Sequence, residues 1–598
     1  MKKFFSILLM ALLIFTSIQI TTALDNSNNS STLIKETLFV SEPIIKDRDE
    51  YITITVEEAT STLTEIGKPT IPVITKVCIL PFGSTIEKID VDFSKEKLIH
   101  LQKDILPFTE PPRILTEQTS QPAIIKDDLV YGSKALYPTH QFDYSLNSGL
   151  ENNTHVMIFT IHCYPLRYSP QQDLLIYSEN IELQLNYKKP VNPQVFPDNA
   201  DLLVIAPEEY ATPIQPLLIH KQNHQLQTIF ITTEEIYTTY PGRDQAEQIK
   251  YCIKNKVEDL GISYVLLIGS IYKLPIRTSV VSLWGRWVEE TLTDLYYADL
   301  YDSTGNFSTW DTNENNLFGE TGEDQLDLYP DVHIGRLACE DINEVELVVD
   351  KIIYYEDNTF DQNWFHDMIF IGGNTFRWNP GNEGEELNEM VMDIMSDFNP
   401  SSIIWTSKGN FNRQSISRAI NEGAGFLYYS GHGFEHGMGT YPPHGPFLKT
   451  YLTPYIEDLI NGYELPIIFF DACLTAKLDF ILQDLLDYKQ YRIFDILAKI
   501  MNYDTSLRLP CYAWYFIQHD TGGAIATIGA TRTAFGGTDS GAGKISLEFF
   551  NGYENSETLG QIMTKAQNGY ITDVPNDEFT VEEFILLGDP SLKVGGYS

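Results

Sequence analysis

Two stretches of sequence, Phe426-Leu-Tyr-Tyr-Ser-Gly-His432-Gly433 and Leu465-Pro-Ile-Ile-Phe-Phe-Asp-Ala-Cys473, decide the fold and the chemistry of this chain. Each contains a short apolar run, which is the pattern of a buried parallel strand. The first run leads to an imidazole and the second to a thiol. Because open α/β sheets bind their ligands beyond the carboxyl ends of the strands, adjacent strands would bring His432 and Cys473 to one rim.

A histidine next to a cysteine can form an activated nucleophile. The imidazole takes the thiol proton, and the resulting thiolate attacks a carbonyl carbon. The backbone amides of Gly433 and Cys473 would then form an oxyanion hole for the tetrahedral intermediate. A single cysteine or histidine is more often structural than catalytic, but the two together at strand ends predict nucleophilic catalysis.

The second half of the chain alternates strand and helix patterns. Six apolar runs predict strands, at 202–205, 265–268, 368–371, 426–429, 467–470 and 524–528. Amphipathic periodicity predicts helices at 244–256 and 343–355. This alternation predicts an α/β fold with a mostly parallel sheet and helices on both faces. We divide it into two subdomains, residues 201–360 and residues 361–598.

Residues 24–190 predict an all-β, sandwich-like domain. Stretches such as 51–56, 75–80 and 181–187 alternate apolar and polar residues and are separated by Pro, Gly and Asn,. The Pro-rich segment that follows predicts a linker, which we assign to residues 191–200.

The first 23 residues have the pattern of a secretory signal peptide. Lys2 and Lys3 precede an apolar run, and small residues follow at 21–23,. No later segment is apolar and long enough to span a bilayer. The sequence therefore predicts a secreted, extracellular protein with no membrane span after signal removal, and retention of the segment as an anchor is the alternative.

Composition excludes several other classes of protein. The 598 residues are 43% hydrophobic, which is enough for large cores and rules out a disordered chain,. The formal charge of −41, from 82 acidic and 41 basic residues, argues against nucleic acid or an anionic membrane as partner,.

The six cysteines form no C-x-x-C pair, so a zinc ribbon is excluded,. Export would permit a Cys78–Cys163 disulfide, but buried free thiols are favoured.

On these residues the chain resembles the caspase-fold clan of cysteine peptidases, and most closely the gingipains. The resemblance covers about residues 200–598 and includes, in the same order as in that family, Tyr264-Val-Leu-Leu-Ile-Gly-Ser270, Asp294-Leu-Tyr-Tyr-Ala-Asp299, Pro330-Asp-Val-His-Ile-Gly-Arg336 and Leu587-Gly-Asp-Pro-Ser-Leu592,. Residues 67–73 and 80–83 resemble the gingipain pro-domain. The resemblance implies a caspase-like catalytic unit that cleaves polypeptides without a catalytic cofactor. It also implies a zymogen whose own pro-domain is an intramolecular inhibitor, although an ordinary β accessory domain is an alternative.

The resemblance also implies roles for three further residues. Asn374 lies where gingipains have an acidic residue that orients the catalytic imidazole. Glu385 matches the gingipain aspartate that pairs with a basic substrate side chain, which implies cleavage after Arg or Lys. Phe535 falls where gingipains carry a tryptophan beside that pocket. The alternatives are a helix N-terminus that favours carboxylates for Glu385 and a place in the core for Phe535.

One acidic loop predicts a structural Ca²⁺ site. Hard oxygen ligands recur at alternating positions, as in calcium loops. The candidate ligands are Asp302, Asp311, Asn313, Asn315 and Glu320. The loop departs from the EF-hand pattern, and a solvated acidic loop is the alternative.

Two other functions remain open. His432, Glu435 and His436 match the H-x-x-E-H pattern of a zinc metallopeptidase, but that motif requires a helix and the surrounding glycines disfavour one. The other alternative is a non-catalytic extracellular binding module on a peptidase fold. Thiol-dependent turnover would distinguish the enzyme from the binding module.

Overall fold

The structure is a computed structural model, and it describes residues 31–114, 122–283, 287–379, 381–488, 491–501 and 503–598. The predicted signal peptide, 1–23, lies outside these residues. The chain forms two compact units. The first takes residues up to Phe108 together with 126–146 and 157–194, and the second takes 109–125, 147–156 and 195–598.

The first unit is composed almost entirely of strands. Its elements are β1 (Ser31–Phe39), β2 (Ile44–Arg48), β3 (Tyr51–Thr55), β4 (Ser61–Thr62), β5 (Pro72–Pro81), β6 (Thr85–His100), the short helix α1 (Asp128–Tyr131), β7 (Phe142–Glu151), β8 (Thr154–Cys163), β9 (Leu166–Ser169) and β10 (Leu174–Lys188). The ends of β7 and β8 that flank their connection, residues 147–156, are grouped with the second unit.

The strands of the first unit form three sheets. One has the order β1-β10-β6 with β9 also on β10, a second has the order β4-β5-β8-β7, and β2 pairs with β3. Alternate residues of β10 are buried, because successive side chains of a strand point to opposite faces,. The predicted all-β domain is confirmed, and Cys78 and Cys163 are separate buried thiols in it.

The second unit alternates strands with helices. Its strands are β11 (Leu202–Ala206), β12 (Thr228–Thr232), β13 (Tyr264–Ile268), β14 (Arg277–Leu283), β15 (Trp287–Thr293), β16 (His333–Leu337), β17 (Asp367–Gly372), β18 (Asn399–Trp405), β19 (Phe426–Ser430), β20 (His432–Phe434), β21 (Gly437–Thr440), β22 (Lys449–Leu452), β23 (Ile467–Asp471), β24 (Ala526–Ala530) and β25 (Phe584–Leu587).

The helices of this unit connect the strands. They are α2 (Gln215–Asn223), α3 (Thr233–Thr239), α4 (Gln245–Leu260), α5 (Leu295–Ala298), α6 (Ile342–Asn358), α7 (Glu383–Ile394), α8 (Arg413–Asn421), α9 (Leu482–Asp487), α10 (Arg492–Ile500), α11 (Tyr512–Ile517), α12 (Gly541–Tyr553), α13 (Leu559–Asp573) and α14 (Glu578–Glu583). Side-chain caps explain several helix starts: Asp244 accepts from the amide of Glu247, and Asp341 accepts from the amides of Asn343 and Glu344,.

One ten-stranded sheet forms the centre of the second unit. Its order is β12-β11-β13-β16-β25-β24-β23-β19-β17-β18. Every recorded pairing in it is parallel except that of β24 with β25. All five residues of β11, β13, β19 and β23 are buried, as expected of strands covered on both faces,. The mostly parallel α/β fold predicted from the sequence is confirmed.

The predicted division near residue 360 does not separate two sheets. β11, β12, β13 and β16 come from the chain before that point, and β17, β18, β19, β23 and β24 come from the chain after it. β25, close to the C-terminus, lies between the two sets and pairs with both β16 and β24. The two predicted subdomains are therefore the two halves of one continuous sheet.

Aromatic side chains fill the core beside the strands that lead to His432 and Cys473. Phe550 of α12 lies edge-on to Tyr428 with ring centroids 5.3 Å apart, and Phe549 lies 5.2 Å from Phe469. Burial of each such side chain contributes about 2 kcal/mol, so the two strand ends rest on a rigid layer. Among the residues that the structure describes, no helix has the length and apolarity to cross a bilayer.

Candidate active site

His432 and Cys473 follow two adjacent parallel strands. Ser430, the last residue of β19, is the register partner of Asp471, the last residue of β23. Each candidate residue lies two positions beyond its strand end, so both emerge at the same edge of the sheet. This arrangement is the one that the sequence predicts.

Hydrogen bonds fix the two strand ends to each other. The Ser430 hydroxyl donates to a carboxylate oxygen of Asp471 at 2.6 Å, and the Gly431 amide donates to the Asp471 carbonyl at 3.1 Å. Burial raises the pKa of Asp471 to about 6. The hydroxyl of Tyr429 lies 2.8 Å from the carbonyl oxygen of His432, so the backbone on the histidine side is held as well.

The turn after Cys473 has a strained conformation. Leu474 has φ 56°, which is the left-handed region and costs about 1–2 kcal/mol for a residue with a Cβ,. Its amide donates to the Arg532 carbonyl at 2.9 Å, which holds the turn in place. Strain of this kind occurs where the surroundings impose one geometry on a functional residue.

Gly433 lies directly against this turn. A Cβ at Gly433 would lie 2.1 Å from the Cys473 carbonyl oxygen and 2.9 Å from the Ala472 Cβ. The backbone of the turn at Cys473 therefore fills the space that a side chain at position 433 would take. The contact brings the chain at Gly433 beside that at Cys473, and their role as oxyanion donors stays a prediction.

A segment from the N-terminal part of the chain occupies the cleft at this edge. Arg113 pairs as an antiparallel bridge with Phe535. The Ile114 amide donates to the Ala534 carbonyl at 3.1 Å, and the Gly536 amide donates to the Pro112 carbonyl at 2.9 Å. Residues 112–114 thus add a short strand to residues 534–536, which is how an extended peptide binds to an exposed backbone edge.

The carbonyl oxygen of Ile114 contacts both candidate catalytic groups. The Cys473 Sγ lies 3.2 Å from it, and the His432 Nδ1 also lies 3.2 Å from it. Sγ is also 3.5 Å from the Ala534 carbonyl oxygen. A carbonyl oxygen can only accept, so the sulfur in this arrangement is a protonated thiol donor.

Both groups are almost completely removed from solvent, with exposed fractions of 1% each. Burial raises the pKa of the Cys473 thiol well above its usual value. Burial also lowers the pKa of His432, against the opposing effect of the Ile114 and Thr375 carbonyls. Desolvation at this site therefore disfavours both the thiolate form of Cys473 and the charged form of His432.

The imidazole is oriented by the residue after the predicted one. His432 Nε2 lies 2.7 Å from the backbone carbonyl oxygen of Thr375. The Asn374 side-chain amide donates instead to the carbonyls of Asn379 and Gly381, at 3.1 and 2.9 Å. The prediction that the Asn374 amide holds the ring is therefore corrected: a main-chain carbonyl does so, and Asn374 closes the adjacent loop.

The two predicted substrate-binding residues have different surroundings. The Glu385 carboxylate is buried on α7 and accepts from the Ser407 amide at 2.9 Å and from the Ser407 hydroxyl. Phe535 is buried, but the Arg113 guanidinium lies over its ring at 5.3 Å from the centroid. Phe535 thus faces the peptide in the cleft, whereas the pairing of Glu385 with a basic substrate side chain stays a prediction.

Four of the five predicted calcium ligands lie close together. The side-chain amides of Asn313 and Asn315 both donate to the Glu320 carboxylate. The backbone N–H of Asn315 donates to the Asp311 carboxylate at 2.9 Å. Asp311 also forms an ion pair with Arg243. Asp302 instead accepts from the backbone of its own turn, at 304 and 306. The oxygens already have donors, and calcium binding stays a prediction.

The zinc-peptidase alternative lacks its helix. His432 begins β20, Gly437 begins β21, and the two strands pair antiparallel. Glu435 accepts from the Tyr488 hydroxyl at 2.6 Å. The H-x-x-E-H residues therefore lie on a hairpin, which does not give the ligand geometry of that motif.

Sequence reasoning missed two contributors to this site. The Thr375 carbonyl is a main-chain group, so no residue type could reveal it. Ile114 lies far from His432 in the sequence and carries no chemical signal. Only its position directly after Pro111-Pro112-Arg113, an extended stretch that favours binding along a strand edge, could have indicated it,.

Two protein families match the chain, one over each part. The family described as Peptidase family C25 matches residues 196–595, which is about two thirds of the chain, and Propeptide_C25 matches residues 44–203. Residues 112–114, which occupy the cleft, lie within the propeptide match. The junction of the two matches coincides with the predicted linker.

The chain is similar to two groups of curated proteins from Porphyromonas gingivalis. Gingipain R2 is 24% identical over 286 residues, which are 47% of this chain and 33% of that protein. Lys-gingipain is 20% identical over 519 residues, which are 79% of this chain and 26% of that protein. The chain thus spans about a third or less of the length of these relatives.

Two solved structures match about two thirds of the chain at low identity. A complex of Porphyromonas gingivalis RgpB pro- and mature domains has a TM-score of 0.48 at 20% identity, over 66% of this chain and 80% of that chain. The crystal structure of the Arg-specific cysteine proteinase gingipain R has a TM-score of 0.48 at 20% identity, over 67% and 80%.

Proposed function

Because the chain belongs to peptidase family C25, a family of cysteine-type peptidases, we propose that it is an endopeptidase with Cys473 as nucleophile and His432 as general base. One observation carries this proposal. The Cys473 sulfur and the His432 Nδ1 lie at the same distance, 3.2 Å, from a single peptide carbonyl oxygen. A thiol and an imidazole that contact the same carbonyl oxygen lie side by side, as a nucleophile and its base must.

The reaction follows from the groups at the strand ends. His432 Nδ1 removes the Cys473 proton, and the thiolate adds to the peptide carbonyl carbon. The oxyanion is stabilised by the amides of Gly433 and Cys473. His432 returns the proton to the leaving amine as the C–N bond breaks, and water then hydrolyses the thioester. The Thr375 carbonyl accepts from Nε2–H, which leaves Nδ1 as the nitrogen that takes the thiol proton,.

The occupied cleft supports a zymogen in which the N-terminal domain is an intramolecular inhibitor. The Ile114 carbonyl contacts both reacting groups, and burial disfavours the thiolate form of Cys473 that attack requires. The segment 188–199 is mostly exposed and free of helix and strand after Lys188, so it is accessible for cleavage. Cleavage there would not by itself vacate the cleft, because residues 112–114 are paired with 534–536. Activation therefore needs the propeptide to leave or to be cut again.

The identity of the residue before the cut bond is the finer part of the proposal. The sequence favours Arg or Lys, paired with the Glu385 carboxylate. The occupied cleft favours a second candidate, an aliphatic residue. The Ile114 carbonyl contacts the Cys473 thiol, so Ile114 occupies the position of the residue before the cut bond. Its Cγ1 lies beside Gly536, 3.4 Å from where a Cβ at that glycine would be, and the ring of Phe376 lies on the same glycine.

Export and calcium binding are also part of the proposal. The signal-like pattern of residues 1–23 supports secretion, and a secreted peptidase made as a zymogen would not cleave proteins inside the cell. The oxygen-rich loop that contains Asp311 and Glu320 supports a structural Ca²⁺ site.

Hydrolysis and thiol labelling of the processed enzyme test the mechanism. We expect Cys473→Ala to abolish both peptide hydrolysis and reaction with a thiol alkylator at that position, since no other group can form the thioester. Cys252→Ala, which removes a buried thiol of α4, is the matched control and should retain activity. Turnover that survives in Cys473→Ala would exclude the cysteine mechanism.

A peptide library cleaved by the same enzyme distinguishes the two specificities. If the enzyme cuts after Arg or Lys, Glu385→Gln should cost on the order of 2–5 kcal/mol in kcat/KM for basic substrates only. Glu386→Gln, an exposed neighbour on α7, is the control. Cutting after Ile, Leu or Val, with Glu385→Gln unchanged, would select the aliphatic candidate and leave the Cys473 mechanism intact.

A further inference from the structure

Two histidines lie one helical turn apart where α2 ends and face the last turn of α6. His220 and His224 have the i, i+4 spacing that places side chains on one helix face. The Asp357 carboxylate on α6 approaches both rings: its Oδ1 lies 3.2 Å from His224 Nε2 and 3.7 Å from His220 Nδ1. The three atoms all lie within 4.8 Å of one another.

The other nitrogen of His220 is already engaged. His220 Nε2 lies 2.8 Å from Glu356 Oε2. The Glu356 carboxylate therefore occupies the Nε2 side of the ring, and Nδ1 is the nitrogen that faces Asp357.

His220 Nδ1, His224 Nε2 and Asp357 Oδ1 thus converge on one point between the two helices, and all three are atom types that bind metal ions,. A carboxylate that accepts from the outer nitrogen of a histidine is also the usual outer shell of a metal-bound imidazole, because it fixes the tautomer and raises the basicity of the ligand nitrogen.

We propose that His220, His224 and Asp357 form a binding site for a divalent transition metal ion, with Zn²⁺ as the preferred ion. Bonds of about 2.0–2.2 Å at a tetrahedral angle put two ligand atoms about 3.3 Å apart. The observed separations of 3.2 and 3.7 Å bracket that spacing. Imidazole nitrogens favour zinc, copper or nickel over calcium or magnesium.

The ion can reach the site from solvent. The side chain of His224 is 28% exposed and that of Asp357 is 46% exposed, whereas His220 is buried. Three protein ligands leave a fourth tetrahedral position, which would be filled by water on the exposed side.

The location in the fold assigns the metal a structural role. α2 leads from β11 to β12, which are parallel, so His224 lies at the edge of the sheet where the strands begin. His432 and Cys473 follow the strand ends, at the opposite edge. The His224 ring also stacks on Tyr597, with centroids 3.8 Å apart and planes 6° apart. The metal would therefore join α2, α6 and the segment near residue 597.

The test uses the full chain with Cys473→Ala, so that zinc cannot bind the catalytic thiol. We expect calorimetric titration with ZnCl₂ to give one strong equivalent, and zinc to raise the melting temperature. His224→Gln and Asp357→Asn should each remove that equivalent and the temperature shift. His140→Gln, which alters an exposed histidine outside the cluster, should keep both.

The outcomes separate metal binding from a simple ion-pair cluster. Asp357→Asn replaces an exposed group by one of equal size, so the variant remains folded and informative. If zinc binds equally well to His224→Gln and Asp357→Asn, or does not bind the parent chain at all, the three side chains form only a histidine–carboxylate hydrogen-bond network and the proposal is overturned.

Discussion

The carbonyl oxygen of Ile114 lies 3.2 Å from the sulfur of Cys473, and the thiol donates to it. A scissile carbonyl would direct its oxygen at the amides of the oxyanion hole and its carbon at the sulfur. The Ile114 carbonyl instead presents its oxygen to the sulfur. The segment therefore lies along the cleft with its carbonyl turned away from attack, which under the proposed mechanism would leave it uncut.

Removal of the Ile114 contact should expose the Cys473 thiol to solvent. We expect Ile114→Asp in the full-length chain to increase the rate of Cys473 alkylation at pH 7 at least tenfold. A carboxylate is disfavoured in that buried position, so the segment should leave the cleft. Water would then enter the site, and the pKa of the Cys473 thiol would fall. The rate is measured with a thiol alkylator and located by peptide mass mapping. Ile124→Asp, an exposed isoleucine in the same stretch, should have no effect. Equal rates in both variants would contradict the inhibitory role of residues 112–114.

Asn374 provides a test of how His432 is oriented. The Asn374 amide donates to two carbonyls, and aspartate cannot donate to either,. We therefore expect Asn374→Asp to lower kcat as much as Asn374→Ala, by about tenfold, since each leaves those carbonyls without donors. If residue 374 held the imidazole directly, aspartate would work as well as asparagine. A kcat for Asn374→Asp at or above that of the parent would thus restore the original prediction.

His333 should make the second unit sensitive to acid. Its ring is buried between Thr564 and Asn153, and burial lowers its pKa to about 3. The unfolded chain has the ordinary histidine pKa of about 6.5, so it binds more protons than the folded chain at acid pH. Stability from this group is present above pH 6.5 and is lost as pH falls towards 3.

The variant His333→Gln isolates that contribution. Between pH 6 and pH 4, we expect the free energy of unfolding of the parent to fall about 1.4 kcal/mol per pH unit faster than that of the variant. Urea titrations at several pH values provide the measurement, with His140→Gln as the exposed control. Parallel pH profiles for parent and His333→Gln would mean that the buried ring does not control acid stability.

Calcium should stabilise the loop that contains Asp311 and Glu320. We expect Ca²⁺ added after chelation to raise the melting temperature by several degrees, and Glu320→Gln to abolish the shift, because hard carboxylate oxygens are the ligands this ion prefers. Binding would require the amide groups of Asn313 and Asn315 to turn their oxygens towards the ion. Asp302→Asn, at the separate turn, should leave the shift unchanged. No calcium-dependent shift in the parent would reject the site.

The sequence by itself determined the fold class and the placement of His432 and Cys473 at one edge of the sheet. A buried parallel strand needs a continuous apolar run, and an α/β sheet presents its strand ends at one edge, so the runs before His432 and Cys473 were sufficient. The β domain, the linker and α7, which starts at Glu383, follow from equally local patterns of alternation, proline content and helix periodicity.

The tertiary structure alone decided what surrounds those two residues. The Thr375 carbonyl, the Ile114 carbonyl and the facing of His220 and His224 towards Asp357 depend on contacts between segments distant in the chain, and main-chain groups carry no residue signal. β25 could not be placed between the two halves of the sheet for the same reason. Local propensity sets which element forms, whereas packing over long sequence separations sets which elements become neighbours.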